Sequence, residues 1–159
     1  MPNLTRLPVS SLRDALIVRR LRNTCCEFMT NYRQKLGFWQ QVRWYYRNYK
    51  TSSSSGDYRI FLFRDSSGRA LGYGALQLHD GQLYITECLE TSVRGQGLGK
   101  QILASLVQPG REEGRALIAE IWADNQASRA LHEKAGFVLT AQREHKGRGL
   151  LVYQLPVNP

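Results

Sequence analysis

The segment 93–100 constrains the fold more than any other part of the sequence. It reads VRGQGLGK, and it leads into an apolar-periodic stretch over residues 98–107. Closely spaced glycines let a backbone turn tightly with its N–H groups pointing outward, and the first turn of a helix adds unpaired N–H groups and the positive end of its dipole. Arg94 and Lys100 contribute two further positive charges. The segment therefore predicts a binding site for a diphosphate-like anion at the start of a helix.

Two other phosphate-binding motifs fit this segment poorly. A Walker loop needs four residues between its first glycine and Gly-Lys, whereas Gly95 and Gly99 enclose three, and Gln101 replaces the hydroxyl that binds magnesium. A dinucleotide-binding fingerprint requires glycine at position 100, which is lysine. The pattern Arg-x-x-Gly-x-Gly is weak by itself, so a simple glycine-rich turn before a helix remains the alternative.

Length, hydropathy and cysteine spacing limit the class of protein. We expect residues 1–159 to form a single domain, since 159 residues suffice for one core. The sequence has no apolar stretch of 18 or more residues and no secretory leader, so we expect a soluble, cytoplasmic protein. Cys25, Cys26 and Cys88 lack metal-ligand spacing, and the adjacent pair cannot form an ordinary unstrained bridge. We therefore expect a reducing compartment and no metal.

The net charge of +9 is concentrated in the N-terminal third. Residues 1–50 contain ten Lys and Arg against Asp14 and Glu27, whereas the rest of the chain is nearly balanced. Such a field attracts a nucleic acid, a nucleotide-linked substrate or an acidic protein. A solvated basic helix face is the structural alternative.

Hydrophobic periodicity predicts a strand and two helices in the first third. Residues 3–9 predict a short strand, and Ser10 or Ser11 is placed to cap an amphipathic helix over residues 12–28. A second helical pattern covers residues 38–49 and contains two Trp and three Tyr besides Phe38. Those rings either fill the core or line the wall of a cleft.

The periodicity then changes to that of strands. Residues 51–56 include four consecutive serines and predict a flexible loop. Asp80-Gly81 is a strong hairpin signal. It joins the second and third strands of an antiparallel meander that we predict over residues 58–63, 70–78 and 82–89.

The glycine segment connects this meander to a parallel pair of strands. The helix that starts at Leu98 meets Pro109-Gly110, which we expect to kink or end it. A buried strand over residues 117–122 follows, so strand, helix and strand form a β-α-β unit at the centre of a mixed sheet. We predict that the chain ends with a helix over residues 128–135, strands over 137–141 and 150–155, and a basic hairpin over 143–148 between them.

A second motif, DNQASRALHEKAGF at residues 124–137, gives the glycine segment a context. Asn125 lies at a strand end, and Ser128 is placed to cap the next helix. Joined to Arg94-x-x-Gly97-x-Gly99, the motif resembles the GNAT superfamily of acyl-CoA-dependent N-acyltransferases over roughly residues 58–142. The resemblance implies an α/β (α+β) GNAT fold: a mixed, mostly antiparallel sheet of six to seven strands with a splayed parallel central pair, and about four helices.

The resemblance also implies acetyl-CoA as cosubstrate. In the family the backbone amides of the loop hold the coenzyme A pyrophosphate, and the end of the preceding strand binds the pantetheine arm and polarises the thioester. Asn125 and His132 would contact the coenzyme from the last crossover helix. The expected coenzyme-binding residues are Glu87, Cys88, Leu89, Arg94, Gly95, Gln96, Gly97, Leu98, Gly99, Lys100, Asn125 and His132.

Acetyl transfer to an amine requires a base and an acid. Glu120 precedes Asn125 by five residues, where some family members place their base, and Glu87 is the second candidate. His132 occupies the position at which the family usually has the tyrosine that protonates the leaving thiolate. The structural alternatives are an ion-paired strand glutamate and a helix-surface histidine. The family transfers the acyl group directly, so we expect Cys88 to serve in packing and not as a nucleophile.

The acceptor is the least constrained part of this interpretation. Arg22-Asn23, Phe28 and Gln41-x-x-Trp44-Tyr45 loosely resemble members that acetylate amino groups on nucleotide-linked sugars. We therefore expect the acceptor to be a small amine or a nucleotide-linked amino sugar. The alternatives are an enzyme steered by its basic third to a protein N-terminus, tRNA or ribosomal target, and a non-catalytic module that binds acyl-CoA or nucleic acid. A homodimer through the C-terminal strands would be common for the family, and no membrane partner is expected.

Overall fold

A seven-stranded sheet forms the centre of the molecule, and a computed structural model describes it within residues 3–157. The strands are β1 (Thr5–Pro8), β2 (Tyr58–Arg64), β3 (Ala70–His79), β4 (Gln82–Leu89), β5 (Leu117–Trp122), β6 (Val138–His145) and β7 (Arg148–Leu155). Their order is β1-β2-β3-β4-β5-β7-β6, and every neighbouring pair is antiparallel except β4 with β5. The predicted mixed, mostly antiparallel sheet is confirmed.

Four helical segments cover the two faces of the sheet. The helices are α1 (Leu12–Thr24), α2 (Phe38–Trp44), α3 (Lys50–Ser55), α4 (Leu98–Glu112) and α5 (Gln126–Lys134). A π-helical turn, Tyr45–Tyr49, joins α2 and α3 into one continuous segment. No helix within residues 3–157 is long and apolar enough to cross a membrane.

Strand alternation divides the core between the two faces. On β4, Leu83 and Ile85 pack with Ile102 and other residues of α4, whereas Cys88 packs with residues of α1 such as Leu21. We call these the α4 face and the α1 face. On β5, Ala119 and Ile121 belong to the α4 face, so Glu120 between them points to the α1 face. The sheet therefore places the carboxylates of β4 and β5 on defined sides.

Local chemistry accounts for the beginning of α1. Ser11 accepts a hydrogen bond from the Asp14 backbone N–H, while the Asp14 carboxylate accepts from the Ser11 N–H, which forms a capping box. The prediction of a serine cap at this position is confirmed. Asp80 and Gly81 both adopt positive φ, as a two-residue hairpin turn between β3 and β4 requires.

Three local predictions were wrong. Residues 51–56 are not a flexible loop, because α3 extends to Ser55; the hydroxyls of Ser53, Ser54 and Ser55 donate to carbonyls three residues earlier, and Gly56 ends the helix with φ of 81°. The last helix begins at Gln126 instead of Ser128, since the Asn125 side chain, and not Ser128, caps it.

Pro109 lies inside α4 and does not end it, contrary to the third of these predictions. Proline cannot donate the helical hydrogen bond to the carbonyl four residues earlier, which here belongs to Ser105. Arg6 of β1 donates to that carbonyl at 2.7 Å instead. The freed acceptor is therefore satisfied from outside the helix, and α4 continues to Glu112.

The parallel strands β4 and β5 separate after two pairs of residues. They are in register only at Leu83 with Leu117 and Tyr84 with Ile118. Beyond these pairs β4 stays bonded to β3 and β5 to β7, so a gap opens between them. The predicted splay is confirmed. Because the Leu83 N–H points toward β5, strand alternation directs the N–H groups of Glu87 and Leu89 into the gap.

Candidate active site

A cleft of about 660 Å³ passes through the gap between β4 and β5. Its wall contains residues from both faces of the sheet, including Phe28 and Met29 on one side and Leu131 on the other. Of the twelve residues expected to bind the coenzyme, ten line this cleft; Gln96 and Leu98 do not. Leu98 is fully buried in the core.

The glycine loop forms one end of the cleft. Gly95 and Gly97 adopt left-handed φ angles of 77° and 76°, which side chains other than glycine rarely allow, and Gly97 is the N-cap of α4. Gly99 follows in the first turn, where a Cβ would lie 3.4 Å from the Leu131 side chain. The loop thus delivers the chain to a helix start whose first N–H groups have no partner within the helix, which fits an anionic group.

Two cationic side chains and one amide side chain lie at the glycine-loop end of the cleft. Arg94 is exposed, donates from Nε to the Leu89 carbonyl at 3.2 Å and lies over the Phe28 ring. Lys100 and Asn125 also line the cleft. These groups and the glycine conformations fit the pyrophosphate and pantetheine of a coenzyme A thioester.

Glu87 and His132 meet inside the cleft, on the α4 face. His132 Nε2 lies 3.9 Å from Glu87 Oε1, and the two side chains are 3% and 17% exposed. His132 is therefore a buried residue that packs edge-on against Phe137, and not a surface histidine. Its Nδ1 lies 2.8 Å from the Ser128 carbonyl oxygen, which can only accept, so Nδ1 carries the proton and Nε2 faces Glu87 as an acceptor.

Burial controls the protonation of this pair. It raises the pKa of Glu87 from 4.5 to about 8, and Glu87 Oε2 is a buried atom without a hydrogen-bond partner among residues 3–157. Burial also lowers the pKa of His132, while the Ser128 carbonyl opposes that shift. At pH 7 a neutral carboxylic acid on Glu87 therefore faces a neutral imidazole on His132, and the carboxyl holds a proton that can be donated.

Glu120 lines the same cleft from the opposite face of the sheet. Its Oε1 forms an ion pair with Arg143 of β6, and its side chain is 25% exposed. The expectation that a strand glutamate would pair with an arginine is met, yet the carboxylate remains at the cleft. The cleft thus presents one carboxylate on each side of the gap.

A second cavity of about 210 Å³ lies beneath α1 and α2. It shares Met29, Asn31 and Thr86 with the cleft, so the two spaces meet at the gap. Of the aromatic residues predicted over 38–49, only Trp44 lies in its wall, while Tyr45 and Tyr49 are buried in the core. The tyrosines of the wall, Tyr32, Tyr58 and Tyr73, come from outside that segment and were not indicated by the sequence.

Cys25 and Cys88 form a disulfide across the α1 face. They are separated by 63 residues, and both line the cleft, whereas Cys26 is free. Cys88 therefore does pack in the core, as expected, but its bonded partner was missed. The odd number of cysteines and the wide separation of Cys25 and Cys88 in the sequence gave no indication that these two would pair.

Comparisons with known proteins agree with this architecture. The family model described as acetyltransferase (GNAT) family matches residues 18–137. An L-amino acid N-acyltransferase, MnaT, of Escherichia coli K12 is 42% identical over 93 residues, which are 54% of either chain. An L-methionine sulfoximine/L-methionine sulfone acetyltransferase of Pseudomonas aeruginosa PAO1 is 30% identical over 98 residues, 57% of either chain. The alignments thus span little more than half the length of these curated relatives.

Solved structures show the same fold over nearly the whole chain. An N-acetyltransferase from Staphylococcus aureus Mu50 superposes with a TM-score of 0.78 at 20% identity and covers 98% of this chain and 99% of that one. A GNAT superfamily phosphinothricin acetyltransferase from Sinorhizobium meliloti, solved with acetyl-CoA, gives a TM-score of 0.76 at 19% identity, with 97% and 88% covered. With three quarters of the sequence matched by the family model, the chain belongs to the acetyltransferase (GNAT) family.

Proposed function

We propose that the chain transfers an acetyl group from acetyl-CoA to the primary amine of a small acceptor, by direct attack in a ternary complex. The observation that carries the proposal is the pair formed by Glu87 and His132, whose side chains lie 3.9 Å apart in the same cleft as the glycine loop. Acetyl-CoA supplies the acyl group as an activated thioester. The glycine loop and Arg94 would bind it, and the N–H groups of Glu87 and Leu89 in the gap would polarise the carbonyl.

In this proposal the base and the acid lie on opposite faces of the sheet. Glu120 lies on the α1 face, where the second cavity opens, and it would accept the proton of the attacking amine directly or through water. Glu87 and His132 lie on the α4 face and would return a proton to the departing thiolate. An acid whose pKa is about 8 is well matched to an alkyl thiol, whose ordinary pKa is near 8.5.

The second cavity supports a small acceptor. A cavity of about 150 Å³ holds benzene, so one of about 210 Å³ holds roughly eight to ten non-hydrogen atoms. A nucleotide-linked amino sugar has several times as many. Two relatives bear names that describe action on amino acids or their analogues, which supports an acceptor of this size.

The proposal is tested by thiol release from acetyl-CoA over a panel of small amines, polyamines, aminoglycosides, nucleotide amino sugars, N-terminal peptides and aminoacyl-tRNA. We expect turnover with small amines, a raised KM for acetyl-CoA in Arg94→Ala and a lowered kcat in His132→Ala. Arg111→Ala on α4 and Lys134→Ala on α5 are exposed matched controls that should behave like wild type. Acetyl-CoA binding without thiol release on any amine would contradict the proposal and favour a binding module.

A salt titration separates a small acceptor from a polyanion-associated target. Basic residues of the first third remain exposed, among them Arg13 and Arg43. If they steered a nucleic-acid-bound target, log kcat/KM would fall steeply with log salt concentration. We expect a shallow slope, because a small amine makes few ionic contacts.

A further inference from the structure

The second cavity contains a buried cation without a counter-ion. Arg22, at the inner side of α1, is only 9% exposed and lines this cavity. Its guanidinium donates to the backbone carbonyls of Gln34 and Tyr32 and lies over the Tyr32 ring. No carboxylate within residues 3–157 lies within ion-pairing distance of it; Asp14, Glu90 and Glu120 are paired with other arginines. A buried charge that lacks a counter-ion is costly, and an anionic ligand would remove that cost.

Two tyrosine hydroxyls share the cavity with this cation, one on a half-buried residue (Tyr58) and one on a buried residue (Tyr73). Tyr58 and Tyr73 line the cavity from β2 and β3. Burial raises the pKa of Tyr58 to about 12 and raises that of Tyr73 further, although the charge of Arg22 opposes both shifts. Both phenols are therefore protonated donors at neutral pH. The Tyr73 hydroxyl has only a long contact to Met29 Sδ at 3.8 Å, and within residues 3–157 the Tyr58 hydroxyl has no hydrogen-bond partner.

The rest of the wall is mostly uncharged. Asn31, Gln40, Gln41 and Thr86 are polar, and the other residues of the wall are aliphatic or aromatic: Val18, Met29, Leu36, Trp44, Ile60. No acidic side chain lines the cavity, so nothing there would pair with a cationic side chain. The cavity meets the cleft at Thr86, one residue before Glu87.

We propose that this cavity takes a free α-amino acid with a compact, apolar side chain, whose carboxylate lies against Arg22 and the Tyr58 hydroxyl and whose amine points past Thr86 into the gap. The inference rests on the proposed function, since the amine would be the group that is acetylated. It goes further by assigning the carboxylate, and not the side chain, as the recognised anion. A molecule of nine non-hydrogen atoms such as leucine matches the space available.

The test compares three molecules that carry their amine on the same 3-methylbutyl chain: L-leucine, L-leucinamide and 3-methylbutylamine. We expect kcat/KM for leucine to exceed that for either analogue without a carboxylate by at least about 100-fold, because the analogues leave Arg22 unpaired. In Arg22→Met this preference should collapse to within a few-fold, whereas Arg22→Lys, which keeps the charge, should retain most of it. Equal activity on the three molecules, or an unchanged preference in Arg22→Met, would overturn the inference.

Replacing Arg22 also removes its hydrogen bonds to the Tyr32 and Gln34 carbonyls, so a second variant tests the site without changing that loop. Tyr58→Phe removes only a hydroxyl, and it should raise KM for leucine about 10-fold without changing KM for acetyl-CoA. Tyr46→Phe, at an exposed tyrosine of the π-helical turn outside the cavity, is the matched control and should change neither. If Tyr58→Phe left KM for leucine unchanged, the placement of the carboxylate would be wrong.

Binding distinguishes failure of this inference from failure of the proposed function. L-leucine should raise the melting temperature of the wild-type protein at millimolar concentration, and 3-methylbutylamine should not. Leucine stabilisation without thiol release would contradict the proposed acetyl transfer but support the site. Thiol release with amines that lack a carboxylate, without stabilisation by leucine, would contradict the site and leave the proposed function standing.

Discussion

Replacing Glu87 by glutamine is expected to stabilise the folded protein while it lowers turnover. Burial raises the pKa of Glu87 from 4.5 to about 8, so between these pH values the folded state keeps a proton that the unfolded state has released. Stability therefore falls as pH rises through this window, by about 1.4 kcal/mol per pH unit for a fully expressed shift. Glutamine has the same shape without the ionisation, and Glu87→Gln should lose this slope.

The expected gain in the free energy of unfolding follows from the same pKa shift. At pH 7 the full effect would be about 3 kcal/mol. Because the Glu87 side chain is 17% exposed, water reduces the cost, and we expect a gain of about 1–3 kcal/mol at pH 7 that is small at pH 5. For a chain of this length each kcal/mol raises the melting temperature by about 2–4 °C.

The assay is thermal or urea unfolding of wild type and Glu87→Gln at several pH values from 5 to 8. Only the difference between the two proteins matters, since other titrating groups affect both. Glu120→Gln is the control: it removes a partly exposed partner of Arg143 and should destabilise slightly, with no growth of the effect across this range. If the difference in the free energy of unfolding between wild type and Glu87→Gln stayed constant from pH 5 to 8, the raised pKa of Glu87 and its protonation at pH 7 would be refuted.

Three further predictions concern the loop, the histidine and the disulfide. His132→Ala should lower kcat by about 100-fold with little change in KM for acetyl-CoA, measured by thiol release. An unchanged kcat would show that His132 takes no part in protonating the leaving thiolate. Gly97→Ala should raise KM for acetyl-CoA about 10-fold because its φ of 76° is strained for alanine, whereas Gly114→Ala, with φ of 61° and open space around it, should not. Reduction of the disulfide should destabilise the protein by at most about 4 kcal/mol, with Cys26→Ser as a neutral control, and peptide mapping that found Cys25 unpaired would contradict the bond.

Features set by neighbouring residues were predicted well from the sequence. The Asp80-Gly81 turn, the serine cap of α1 and the strand, glycine loop and helix around Gly97 depend on backbone conformations that a few residues determine. Strand alternation then defines the faces to which Glu87 and Glu120 point. Much of the coenzyme cleft follows from these local patterns and from the family resemblance.

Features that depend on distant residues were missed. Helix α4 passes Pro109 because Arg6, from the other end of the chain, binds the freed Ser105 carbonyl. One local feature was also missed, since the serine hydroxyls of α3 bond back to carbonyls of their own helix. The contact between Glu87 and His132 likewise joins a strand to a helix that follows much later. Sequence periodicity places each element but gives no distance between them, so neither the raised pKa of Glu87 nor the buried cavity around Arg22 could be foreseen.

Direct transfer of the acetyl group is tested most plainly with acetyl-CoA labelled at the carbonyl carbon. The protein is incubated with the labelled donor, first alone and then with L-leucine and the panel of small amines, and protein and small molecules are analysed by mass spectrometry. We expect the label to appear in an amide of the acceptor and the protein alone to gain no acetyl group. Labelled acetate as the sole product, or a protein that carries the acetyl group on a cysteine before the amine is added, would contradict it.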